Sequence, residues 1–84
     1  MNVQEIQRFL ATNKLAKDKY LKITFKKRDA IYGIFVQGND SADLEPKNFW
    51  RIVTFTHFEE YNKSKNINLA KIFSGSDFTK ISVV

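Results

Sequence analysis

Residues 67–84, INLAKIFSGSDFTKISVV, decide how this chain folds. Ile67, Leu69 and Phe73 recur on one arm, interrupted by Lys71, and Thr79, Ile81 and Val83 alternate on the other. A period of two is the spacing of a half-buried strand. Between the arms, Ser74-Gly75-Ser76-Asp77 has the composition of a tight turn. Gly75 can take the positive φ that such turns often need, and Asp77 can bond back to backbone amides. The expectation is a terminal hairpin, Ile67–Phe73 against Phe78–Val84, with its last strand paired in a sheet.

Upstream, the same period recurs. Leu21, Ile23 and Phe25 alternate with Lys22, Thr24 and Lys26, giving a strand with one buried face. Lys27-Arg28-Asp29 is a polar turn, and residues 30–37 (AIYGIFVQ) resume as a mostly apolar strand with Gly33 at its middle. A glycine there marks a sharp bend or a close backbone approach. Residues 38–48 (GNDSADLEPKN) form a long loop, and Phe49 to Thr56 is a further strand by its aromatic and β-branched content. His57 to Asn66 is polar, a loop or a single helical turn.

At the start, Val3, Ile6, Phe9 and Leu10 make an apolar stripe at helical spacing. Asn2 followed by Glu5 has the pattern of a capping box. One domain over residues 1–84 follows, with a helix at about 2–14 and a barrel at about 20–84. The class is mainly β: a capping helix, then five short antiparallel strands in a strongly bent sheet closing into a barrel. A rival arrangement is the five-stranded OB barrel, a single-stranded nucleic-acid binder, with His57–Asn66 as its inserted helix. That segment shows no apolar stripe.

There is no cysteine, so no disulfide or thiolate zinc site can form. MNVQEIQRFL has no charged leader followed by an apolar run, and no stretch approaches the ~20 apolar residues of a membrane span. A cytoplasmic protein without membrane contact is expected. His57, Glu59 and Glu60 place an imidazole near carboxylates, but a deaminase-type His-x-Glu needs a cysteine pair. No phosphate loop or activated nucleophile is evident. A non-enzyme without metal or cofactor is expected.

The net charge of +5 is polarised. Residues 14–28 hold seven Lys or Arg against one Asp (+6), residues 29–60 two against six acids (−4), and residues 61–84 four against one (+3). Lys14, Lys17, Lys19, Lys22, Lys26, Lys27 and Arg28 suit RNA phosphates, and equally suit a solvated face. Tyr20, Tyr32, Phe49, Trp50 and Tyr61 suit base stacking or, more in keeping with their setting, core packing. Trp50 with Arg51 follows the long loop and is the aromatic–basic pair most suited to contact RNA.

The helix and five bent strands resemble the Sm-like family, as in Sm, Lsm and Hfq-type RNA chaperones. Leu21–Phe25 followed by residues 30–36 resembles the first family motif, in which a strand and polar turn lead into a second strand bent at a glycine. Residues 72–81 (IFSGSDFTKI) resemble the second, in which a glycine turn links the last two strands. The resemblance implies an Sm-like (SH3-like) barrel that binds RNA. It places Asn39, Ala42 and Asp43 at the family's RNA-contacting loop positions, without the usual stacking side chain. Ser74, where an Arg commonly stands, and Gly75 join the expected contacts. It also implies that the last two strands pair between neighbours, closing a ring of about five to seven copies. Ile67, Leu69, Ile72, Phe73, Phe78, Ile81 and Val83 are then the expected interface. A protein-interaction or assembly module on the same fold is the alternative.

Overall fold

Within residues 1–12 and 20–84, which the computed structural model of the chain describes, a ten-residue helix precedes a five-stranded antiparallel sheet. Helix α1 spans Val3–Thr12. Its start is the expected capping box: the Glu5 amide donates to Asn2 Oδ1 at 2.8 Å, and the Asn2 amide donates to Glu5 Oε1 at 2.9 Å. Two of the helix's orphan donors are thereby satisfied. Ile6 is fully buried, while Val3, Phe9 and Leu10 pack half-buried against the same core.

The strands are β1 (Leu21–Phe25), β2 (Ile31–Val36), β3 (Phe49–Thr54), β4 (Lys71–Ser74) and β5 (Phe78–Val83). Their order across the sheet is β4-β3-β2-β1-β5. Leu21, Ile23 and Phe25 face α1 together with Trp50, Ile52, Phe78 and Ile81, and this cluster is the main core. Gly33 is a close-approach glycine, as expected: a Cβ there would stand 2.5 Å from the Val53 carbonyl oxygen and 2.9 Å from Ile52 Cγ2.

The terminal segment departs from the expected hairpin. β4 and β5 lie at opposite edges of the sheet and do not pair with each other, so the barrel is not closed. The expected first arm is also shorter, because Ile67–Leu69 forms a 3-10 turn. Asn66 Oδ1 accepts from the Asn68 amide at 3.0 Å and holds that turn in place of a strand. Thr79 leaves the inward row, because the β1–β5 register shifts between Thr24 and Phe25. Lys80 pairs with Thr24, and Phe78 with Phe25. The extra residue is a bulge, which bends β5 and puts Phe78 in the core while Thr79 is exposed.

The open sheet is nonetheless strongly curled. Across five flat strands the edges would stand roughly 19 Å apart. The connection from Ser74 to Phe78 spans at most about 14 Å when fully extended, and here it is a 3-10 turn, Gly75–Asp77. The edges are therefore drawn toward each other. Phe25 on β1 meets Phe73 on β4 at 5.8 Å and Phe78 on β5 at 5.2 Å between ring centroids.

Gly75 serves packing rather than a left-handed turn, since no glycine here has positive φ. It is buried, and a Cβ would stand 2.6 Å from Ile6 Cδ1 and overlap the Asn48 side chain. Asn48, itself left-handed at φ 65°, is the hub of this corner. Its carbonyl accepts from the Gly75 amide at 2.8 Å, its Nδ2 donates to the Met1 carbonyl at 3.0 Å, and its Oδ1 accepts from Trp50 Nε1 at 2.8 Å.

The connections carry more structure than expected. The β2–β3 loop contains a helical turn, α2 (Ser41–Leu44), and a 3-10 turn at Glu45–Lys47. Between β3 and β4, in place of the expected loop or single helical turn, runs the seven-residue α3 (Phe58–Ser64). It packs on β3, and Phe58 and Ala70 in this segment are buried. Val53, which alternation turns away from Ile52, is fully buried too, although it lies outside the main cluster. α3 therefore covers the β3 side of the face that α1 leaves open. No helix among the described residues is long and apolar enough to cross a membrane.

Candidate nucleic-acid interface

The face of β1 opposite the core carries Lys22 and Thr24, and the ladders place their neighbours. Lys22 stands between Tyr32 on β2 and Ser82 on β5, and Thr24 stands opposite Lys80. Directly opposed residues on one face have Cβ atoms about 4.5–5.5 Å apart. Lys22, Lys26 and Lys80 are exposed, and Tyr32 is 39% exposed. The Val84 amide donates to the Tyr20 carbonyl at 3.4 Å, which carries the β1–β5 pairing outward by one step. Tyr20 meets Phe55 edge-on at 6.4 Å and Phe58 at 4.8 Å, and Phe55 is 56% exposed. The result is a basic strip with exposed rings along one flank.

At the end of β1 the strip runs into a cleft of about 290 Å³, bounded by Phe25, Lys26, Lys27, Arg28, Phe73 and Ser74, with Asp77 on its wall. The Lys26 amide donates to the Asp77 carbonyl at 3.0 Å, which clamps the β1–β2 turn against the β4–β5 turn. The Arg28 guanidinium carbon lies 5.1 Å from the Phe25 ring centroid and 5.7 Å from that of Phe73. Among the described residues, no carboxylate pairs with Lys26, Lys27 or Arg28.

The expected contact residues thus divide. Lys22, Lys26, Lys27, Arg28 and Ser74 lie along the strip and cleft. Asn39 and Asp43 are exposed on the β2–β3 connection, away from the cleft lining. Trp50 is 3% exposed, its indole N–H already bonded to Asn48, so it belongs to the core and offers no stacking surface. Gly75 is likewise buried. Arg51 is engaged within the chain: its Nε and a terminal nitrogen grip the two Asp40 oxygens at 3.0 and 2.5 Å. Hydrogen bonding from Arg51 holds the Asp40 carboxyl below its ordinary value of 3.8, and the Arg51 charge adds to this against partial desolvation. Asp40 in turn raises Arg51. Lys14, Lys17 and Lys19 lie outside the described residues.

A larger cleft of about 400 Å³ opens beside α1 and the β2–β3 connection, lined in part by Leu10, Phe35, Leu44 and Phe49. Among the described residues Arg51 is its one cationic lining residue, already held by Asp40, and Glu45 adds a negative charge.

The expected assembly residues divide as well. Phe78 is 0% and Ile81 6% exposed, so both are committed to the chain's own core. Ile72 on β4 and Val83 on β5 are exposed at the two sheet edges, and Ile67, Leu69 and Phe73 are half-buried. Two candidates escaped the sequence reading. Lys80 joins Lys22 through the β1–β5 register, and Phe55 is exposed just past the end of β3 at Thr54. Glu59 and Glu60 sit in the first turn of α3, where negative charge complements the helix dipole. Among the described residues, no three His, Asp or Glu side chains converge to hold a metal ion. Compared with known protein families, curated proteins and solved structures, the chain matches none.

Proposed function

We propose that the chain is a non-catalytic, Sm-like RNA-binding protein that assembles through its two free sheet edges into a ring of about five to seven copies. Single-stranded RNA lies along the strip of Lys22, Tyr32 and Lys80. The observation that carries this is the strand order. The last two strands stand at opposite edges, each without a partner on its outer side among the described residues, which pairing between neighbouring copies requires. Unpaired edges bearing exposed Ile72 and Val83 are an aggregation liability unless something covers them. Symmetric assembly covers both at once.

The RNA component is supported by cations that have no carboxylate partner among the described residues and lie beside exposed rings. Lysines hold phosphates without reading sequence, and rings accept any base. Fluorescence anisotropy with uridine-rich and adenine-rich oligonucleotides tests this. Binding at low salt that weakens steeply as salt rises is expected, and no binding at low salt overturns it.

One observation favours a second reading, a protein-interaction module on the same assembly. Trp50 and Arg51, both expected to contact RNA, are engaged within the chain. Partners that stay bound after nuclease treatment support that module, and purely RNA-dependent partners exclude it.

A further inference from the structure

We propose that the Arg28 cleft is a binding site for one nucleotide unit, taken up through a phosphomonoester. The site rests on the cations of the β1–β2 turn, Lys26, Lys27 and Arg28. It requires neither the ring nor RNA along the strip.

Three features converge on this ligand. The floor is aromatic, formed by Phe25 and Phe73, which meet at 5.8 Å. Arg28 lies across both rings, so its guanidinium is a planar fork already oriented before a ligand arrives. A fork of that kind matches a phosphate's oxygens in a way that a flexible ammonium does not. Lys26 and Lys27 add two cations at the same rim, and none of the three is paired with a carboxylate among the described residues.

Size narrows the class. At about 290 Å³ the cleft lies at the small end of ligand sites, which run roughly 300–1,000 Å³. It has room for a single nucleotide, with the phosphate on Arg28 and the base or sugar against the half-buried Phe73, while Phe25 is mostly buried beneath. Asp77 on the wall disfavours a bare anion that brings no apolar contact to offset it. A phosphomonoester on a nucleotide occurs free in solution or at the end of an RNA strand, and the chemistry at the cleft is the same.

The test is an NMR titration of the isotopically labelled full chain with uridine and adenosine 5′-monophosphates, the two nucleosides and inorganic phosphate. The monophosphates are expected to move the amide signals of Lys27, Arg28, Phe73 and Ser74. Nucleosides and inorganic phosphate should bind about five-fold or more weakly. Arg28→Lys keeps the charge but loses the fork, so it should weaken monophosphate binding about five-fold or more. Phe73→Leu, which removes one ring beneath the guanidinium, should act in the same direction, with both variants keeping the wild-type circular dichroism. Inorganic phosphate binding as tightly as the monophosphates overturns the proposal, as does an Arg28→Lys variant that binds normally. Shifts confined to Lys22, Tyr32 and Lys80 also overturn it while leaving the RNA proposal standing. Matched oligonucleotides then identify the source. Tighter binding of the 5′-phosphorylated strand assigns the site to an RNA end, and equal binding assigns it to the free nucleotide.

Discussion

Lys22 and Tyr32 stand directly opposite each other on the β1–β2 ladder, on the face that turns away from the core. A cation and an exposed ring side by side can serve the two parts of a nucleotide chain, phosphate and base. Their contributions separate by salt dependence. Lys22→Ala should weaken binding of every oligonucleotide alike and lower the salt slope by about 0.7. Tyr32→Ala should cost roughly 1–3 kcal/mol per stacked base and leave that slope unchanged. Anisotropy titrations over a range of salt check both. Equal slopes for wild type and Lys22→Ala contradict a phosphate contact there.

Gly75 supports the corner where the N-terminal segment, β3 and the β4–β5 turn meet. Gly75→Ala places a methyl 2.6 Å from Cδ1 of the fully buried Ile6 and into the Asn48 side chain. Overpacking of this kind costs about 1–3 kcal/mol. For a domain of this size each kcal/mol moves the melting temperature by about 4–8 °C. Ser76→Ala, one residue on and exposed, should stay within about 0.5 kcal/mol. Thermal unfolding of the two variants is the comparison, and equal melting temperatures contradict the packing role.

These two sites show what was legible in the sequence and what was not. The strand faces were readable from period two alone, because Leu21, Ile23 and Phe25 alternate with lysine and threonine. The α1 start was readable too, since Asn2 and Glu5 have few other uses at that spacing. Non-local pairing was not. Ile67–Val84 has the local pattern of a hairpin, yet its two strands pair with β3 and β1 and stand at opposite edges of the sheet. Trp50 illustrates the same limit. An aromatic residue beside an arginine suits RNA, and only the folded chain, which buries Trp50 and sets Asn48 on its indole nitrogen, shows that it is core. α3 was hidden because its buried face is mainly Phe58, too little for a visible stripe.

The Asp40–Arg51 pair predicts a pH dependence. The folded carboxyl lies below its ordinary value, chiefly through the Arg51 hydrogen bond. Its contribution is therefore complete above the ordinary carboxylate range and is lost as pH falls through the lowered folded value. Asp40→Asn should reduce stability at neutral pH, and the gap from wild type should narrow below about pH 4. Melting temperatures across an acid series check this. A gap that stays constant down to the acid limit contradicts the contact.

Ile72 and Val83 expose apolar surface at opposite edges, 48% and 44% respectively. Lysine at either position places a charge where a neighbouring strand would dock, as proteins do to keep edges apart. Ile72→Lys and Val83→Lys should each dissociate the proposed assembly with little change in circular dichroism. Oligomers that survive both substitutions rule out edge pairing as the contact.

The central claim, assembly through these edges, is tested most directly by the native mass of the unmodified chain. Size-exclusion chromatography with light scattering at physiological salt gives that mass. About five to seven times the 9.8 kDa of one copy is the expected result. A monomer or simple dimer contradicts ring assembly through these edges.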